Sequence, residues 1–87
     1  MLMLHFDFQR LPDRQAFYRA LVDQSACPLD FGNNLDALWD WLTGGMALPA
    51  TIYLRHSEDA SAECAPLLAL LEEAQQQLEG ELRLVRE

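Results

Sequence analysis

The sequence predicts an α/β domain built on a three-stranded parallel sheet, with its elements in the order βααβααβ. Three observations predict it. Residues 2–8 and 50–55 alternate with the period of two that marks a strand, and residues 81–86 supply a third strand at the end of the chain. The segments between them carry apolar residues at helical spacing, a pair of helices to each connection. Strands separated by helices pair in parallel through right-handed crossovers. At 87 residues the chain can build one modest core, so residues 1–87 are expected to form a single domain.

Each element has its own signal. Leu2, Leu4, Phe6 and Phe8 share one face of the first strand. Met3 and His5 on the other face are not strongly polar, which predicts a strand covered on both sides and placed in the middle, giving the sheet order 2-1-3. Pro12 and Asp13 suit a first helical turn, and Ala16, Phe17, Ala20, Leu21 and Gln24 follow at helical spacing, so the first helix is expected over 13–24. Pro28 ends that region and Gly32 marks a turn. Asn33-Asn34 is a capping signal for a second helix, whose apolar stripe is Leu35, Leu38, Trp39 and Leu42. Thr43-Gly44-Gly45 stops it. The second strand, 50–55, follows Pro49; residues 57–64 predict a short helix or helical turn. Pro66 opens a longer helix over 66–79, and Gly80 ends it before the last strand.

Composition narrows the function. Fourteen acids and six bases give a net charge of −8, with no lysine. Such a surface repels nucleic acid and anionic membranes, which excludes direct binding to either. Residues 20–54 carry Asp23, Asp30, Asp36 and Asp40 and no base, and residues 56–82 carry seven acids and no base. Part of this is ordinary solubility; the sharper reading is a surface built to meet a basic partner. The first residues lack a basic region and a cleavage pattern, and no apolar run approaches a membrane span, so a cytoplasmic protein is expected. Cys27 and Cys64 have no metal-ligand spacing and are expected as reduced thiols. No cofactor is expected.

The second helix carries the functional argument. At about 100° per residue, Asp40 lies about 40° from Asp36, with Asn33 and Gly44 nearby and the apolar stripe almost opposite. Asp36 and Asp40 therefore share a solvent face one turn apart, a like-charged spacing that costs a few tenths of a kcal/mol in an isolated helix. A plain solvated face accounts for such a pair. Trp41 falls outside the apolar stripe, so it is either partly exposed beside the carboxylates or packed under a neighbouring loop. Exposed tryptophan among charges is a composition of protein interfaces.

The string Asp30-Phe31-Gly32-Asn33-Asn34-Leu35-Asp36-Ala37-Leu38-Trp39-Asp40-Trp41-Leu42-Thr43-Gly44 resembles the signature segment of the barstar family, inhibitors of microbial ribonucleases. The match is ungapped, Leu48-Pro49 before a strand extends it, and element order and length carry the likeness across the chain. The resemblance implies a barstar-like βααβααβ domain that plugs a basic ribonuclease or nuclease-type toxin with helix two and the loop before it, one partner to one inhibitor. It implies that Asp40 enters the phosphate-binding pocket and that Asp36 pairs with basic residues at its rim. Asp30, Gly32, Asn34, Trp39, Thr43 and Gly44 line the contact, and an acid on the last helix, Glu73 with Glu72 or Glu79 as alternatives, adds an ion pair. The sequence departs from the family at three places. Asp30 stands where an aromatic is frequent, Gly45 stands where an aromatic can follow the helix-ending glycine, and Trp41 replaces a smaller residue. These changes imply a different cognate nuclease.

Two other classes compete. An enzyme could use Asp36 with Asp40 as an acid–base pair, but an exposed helix face offers no water-excluded cleft, and neither His5 nor His56 has a nucleophile at a suggestive spacing. Metal binding by Asp36, Asp40 and Asn33 would need more oxygens than one helix face supplies. The remaining class is a barstar-like immunity or regulatory module for a partner other than a ribonuclease.

Overall fold

The computed structural model describes residues 2–25 and 34–87. Strand β1 spans Leu2–Asp7, helix α1 Arg14–Ser25 and helix α2 Leu35–Asp40, which runs directly into one π-helical turn, Trp41–Gly45. Strand β2 spans Ala50–Arg55, two 3-10 turns cover Ser57–Asp59 and Ala62–Cys64, helix α3 spans Ala65–Gln77 and strand β3 Leu82–Arg86. Element positions follow the sequence signals closely, with residues 57–64 as paired helical turns. The predicted 2–8 strand stops at Asp7, and the helix predicted to run to residue 79 stops at Gln77, with Glu79 and Gly80 at positive φ beyond it. Helix α1 is capped by Asp13, whose Oδ1 accepts from Ala16 N at 2.9 Å, so Pro12 precedes the cap rather than opening the helix.

All three strands are parallel, in the order β1-β2-β3, with Leu4 opposite Ile52 and Ile52 opposite Leu84. The expected order 2-1-3 is therefore corrected: β2 is the central strand, and β1 is an edge. Crossover handedness then decides where the helices lie. Right-handed connections that keep advancing in one direction place their helices on a single face, whereas 2-1-3 would reverse direction and cover both. The core accordingly lies on one side. Leu4, Phe6, Ala50, Ile52, Leu54 and Leu82 pack with Phe17, Tyr18 and Leu21 of α1, Leu38 of α2, Leu42 of the π-turn, and Leu67, Leu71 and Ala74 of α3. Phe17 stacks on Phe6 at 4.5 Å between ring centroids and meets the edge of Tyr18 at 6.0 Å.

The opposite face carries Met3, His5, Thr51, Tyr53, Arg83 and Val85, none of which joins the core. Met3 is 53% exposed, so β1 is not covered on both sides as its composition suggested. Low polarity of Met3 and His5 does not mark a central strand here. His5 instead stacks on Tyr53 at 4.8 Å and 7° between ring planes. Thr51, flanked by Met3 and Arg83 in register, stays only 6% exposed, as expected when long neighbours lie across a sheet surface.

Both outer edges meet a glutamine. Gln24 of α1 accepts from His5 N at 2.7 Å and donates to His5 O at 2.8 Å, and Gln75 of α3 accepts from Leu84 N at 2.8 Å. Each amide supplies hydrogen bonds that a further strand would otherwise make.

Candidate functional site

Helix α2 begins because Asn34 takes the N-cap position. Its backbone is extended, and its side-chain oxygen accepts from Ala37 N at 2.7 Å. Asp36 lies in the first turn, where the helix dipole favours a carboxylate. Leu38 and Leu42 are fully buried, which anchors the helix by the stripe predicted for it, while Leu35 and Trp39 are half-buried at the margin. That anchoring turns Asn34, Asp36 and Asp40 outward, and all three are exposed. Among the described residues neither Asp36 nor Asp40 is in an ion pair; the pairs present are Arg14 with Glu63, His56 with Asp7 and Arg86 with Glu72.

The helix does not end as a regular α-helix. Met46 N donates to Trp41 O at 2.7 Å, the five-residue spacing of a π-turn, and Thr43 Oγ1 donates back to Trp39 O at 2.8 Å. Thr43 is thus half-buried with its hydroxyl engaged inside the helix, and Gly44 is exposed with open space around it. Trp41 meets both expectations in part: it is half-buried against the core and so stays partly exposed, and its indole N–H donates not to a loop but to Ser25 Oγ of α1 at 3.1 Å. The backbone at Trp41 is still regular α-helix, so the helical wheel does place it off the apolar stripe; what the wheel could not show is the surface that Ser25 of α1 supplies there.

Of the remaining predicted contact residues, Asp30 and Gly32 lie outside the described residues, as do Asn33 and Cys27. On α3, Glu72 is committed to Arg86, whereas Glu73 is exposed and in no ion pair among the described residues. Glu79 sits past the end of α3 at a φ of 41°. Asp36, with Asn34 and Leu35, also borders an open cavity of about 460 Å³ shared with Arg14, Gln15, Tyr18 and Glu63. Cys64 is a free, buried thiol.

The histidines are elsewhere. His5 lies on an edge strand, exposed on the uncovered sheet face, not in a central strand as its position first suggested. His56 follows β2 in a left-handed conformation and meets Asp7 at 3.0 Å. That hydrogen bond, aided by the Gln9 backbone N–H, holds the Asp7 carboxyl below its ordinary value of 3.8. The pair of His56 with Asp7 ties the ends of β1 and β2 together. Sequence reasoning missed Ser25 and Gln75 and read Gln24 only as part of a helical spacing, because a bond that reaches across the fold leaves no periodic trace.

Residues 1–86 match the family model described as Barstar (barnase inhibitor). The chain is also 33% identical over 85 residues to the Bacillus subtilis (strain 168) protein named "Putative ribonuclease inhibitor YrdF", an alignment covering 93% of this chain and 90% of that relative. No helix among the described residues is long and apolar enough to cross a membrane.

Proposed function

The chain belongs to the barstar family, and from that premise we propose that it inhibits a ribonuclease by presenting Asp36 and Asp40 where RNA phosphates would bind. The observation that carries this reading is the pair of exposed carboxylates, one turn apart on a helix capped by Asn34, with no cation of their own among the described residues. Buried charge pairs inside one fold give back in desolvation much of what they gain. Across an interface, a site already evolved to bind phosphate supplies preorganised cations, and such pairs can be net favourable. Asp40 enters the pocket, Asp36 engages its rim, and the contact is completed by Asp30, Gly32, Asn34, Trp39, Thr43 and Gly44. Glu73 is the last-helix acid that remains available, since Glu72 already holds Arg86. The partner is a basic ribonuclease bound one to one. The inhibitor does no chemistry; it occupies the site.

The net charge of −8 adds long-range attraction, which raises the association rate and makes it fall with ionic strength. The decisive experiment is inhibition and binding of the ribonuclease that a low-salt pull-down recovers, with barnase, the enzyme named in the family description, run alongside, by the parent chain and by Asp40→Ala. Truncating one member of a desolvated charge pair costs about 2–5 kcal/mol, so affinity should fall at least tenfold. Equal affinity of the two proteins would remove the phosphate-mimic mechanism.

A further inference from the structure

Helix α2 has six residues and buries only Leu38, well short of the ~12–15 residues an isolated helix needs to persist in water. Its geometry has to come from tertiary contacts. Beyond Leu38 and Leu42, Leu35, Trp39 and Trp41 pack against the core, and Trp41 adds a side-chain hydrogen bond at the C-terminal end. The π-turn brings residue 45 back against the indole, and a Cβ at Gly45 would lie 2.5 Å from Trp41 Cε3 and 2.8 Å from Cζ3. Those distances are shorter than carbon atoms tolerate without bonding, whereas a Cβ at Gly44 would meet nothing within 4 Å. One glycine is demanded by the ring and its neighbour is not. At its nitrogen the same indole bonds Ser25 Oγ at 3.1 Å, and Ser25, the buried last residue of α1, donates its hydroxyl to Leu21 O at 2.6 Å. The ring is therefore fixed on one side by the Gly45 backbone and on the other by the end of α1.

We propose that Trp41 is the positioning residue of the acidic helix: it locks α2 to the end of α1 through Ser25 and so fixes where Asp36 and Asp40 stand, with Gly45 kept bare to admit the ring. The lock also joins the far end of α2 to Ser25, from which the chain enters residues 26–33 with Asp30 and Gly32. The part of this proposal that concerns binding rests on the reading of Asp36 and Asp40 as partner contacts; the part that concerns the lock does not.

The two parts are tested separately. Trp41→Phe keeps a ring beside Gly45 and deletes the N–H, and Ser25→Ala deletes the acceptor. In each variant, amide hydrogen exchange in α2 should accelerate about five- to tenfold, the worth of one hydrogen bond, while β2 and α3 keep their protection. The two effects should be less than additive in the double variant, because one bond is common to both. Unchanged exchange in α2 for both variants overturns the lock. Gly45→Ala should lower the melting temperature when Trp41 is present and much less in a Trp41→Leu background; equal losses overturn the steric coupling. Binding is read with barnase as the probe. Trp41→Phe should raise the dissociation rate several-fold and leave the salt dependence of association unchanged, since no charge is altered. Faster exchange with unaltered dissociation overturns the positioning role and leaves a purely structural bond. If the parent chain itself fails to bind barnase, the reading of Asp36 and Asp40 as contacts for that enzyme falls, and exchange still decides the lock.

Discussion

The two faces of the sheet are made by the same three strands and meet opposite surroundings. On one, Leu4, Ile52, Leu54 and Leu82 are fully buried beneath three helices; on the other, Met3 is 53% exposed and arginines 55 and 83 reach into solvent. Parallel sheets are usually covered on both sides. Here a strand order that advances in one direction puts every described helix on one side, and the second face is shielded by its own side chains. The acidic helix belongs to the layer that makes the core, which it joins through Leu38. The bare face carries half of the six arginines in or beside it (Arg10, Arg55 and Arg83), none of them in an ion pair among the described residues.

Substitutions that treat the two faces alike should break this contrast. The largest effect is expected for Leu71→Ala, which empties a fully buried position under the sheet and should cost about 2–5 kcal/mol in urea unfolding. Met3→Ala, an exposed position, should stay within ~0.5 kcal/mol. Similar losses at the two positions would mean that something covers the second face in solution. An intermediate effect is expected at the edge. Gln24→Ala removes both hydrogen bonds to His5 and should cost about 1–2 kcal/mol. It should also increase concentration-dependent association measured by light scattering, since an opened edge can pair with another chain.

The smallest effect concerns Asp7. Its carboxyl titrates lower in the folded chain than in the unfolded one, first because of the His56 hydrogen bond. The unfolded state therefore binds more protons, and the resulting stabilisation is complete above about pH 4 and lost as pH falls through the folded value. Asp7→Asn should flatten the acid limb of the stability curve and leave the rest of its pH profile nearly unchanged; an unaltered acid limb in pH-dependent unfolding would show that other carboxylates set it.

The contrast also shows why some features were legible and others were not. Period-two alternation placed β1 and β2 because burial on one face writes itself into every second residue, as in Leu4 and Phe6 or Ile52 and Leu54. Strand order was not legible. Thr51 and Tyr53 look more polar than Met3 and His5, yet they belong to the central strand, because a face without a helix layer sets no premium on apolar residues. At the site, Asn34, Asp36 and Asp40 were readable because a capping amide and a one-turn spacing are local properties. Trp41 was legible as lying off the apolar stripe, but its bond was not, because it depends on Ser25, sixteen residues away. The helical turns at 57–64 were legible as helical but not in their pitch, since short turns are decided by the contacts at their ends.

On the proposed reading the chain meets one partner, and it then has to refuse others, above all copies of itself. The amides of Gln24 and Gln75 sit on the two outer strands and stand in for peptide groups of absent neighbours. They blunt the margins: on β1 both peptide groups of His5 are engaged, and on β3 the N–H of Leu84 is. Growth of the sheet by added strands is opposed at those positions, and on the proposed reading encounters are left to the surface that carries Asp36 and Asp40.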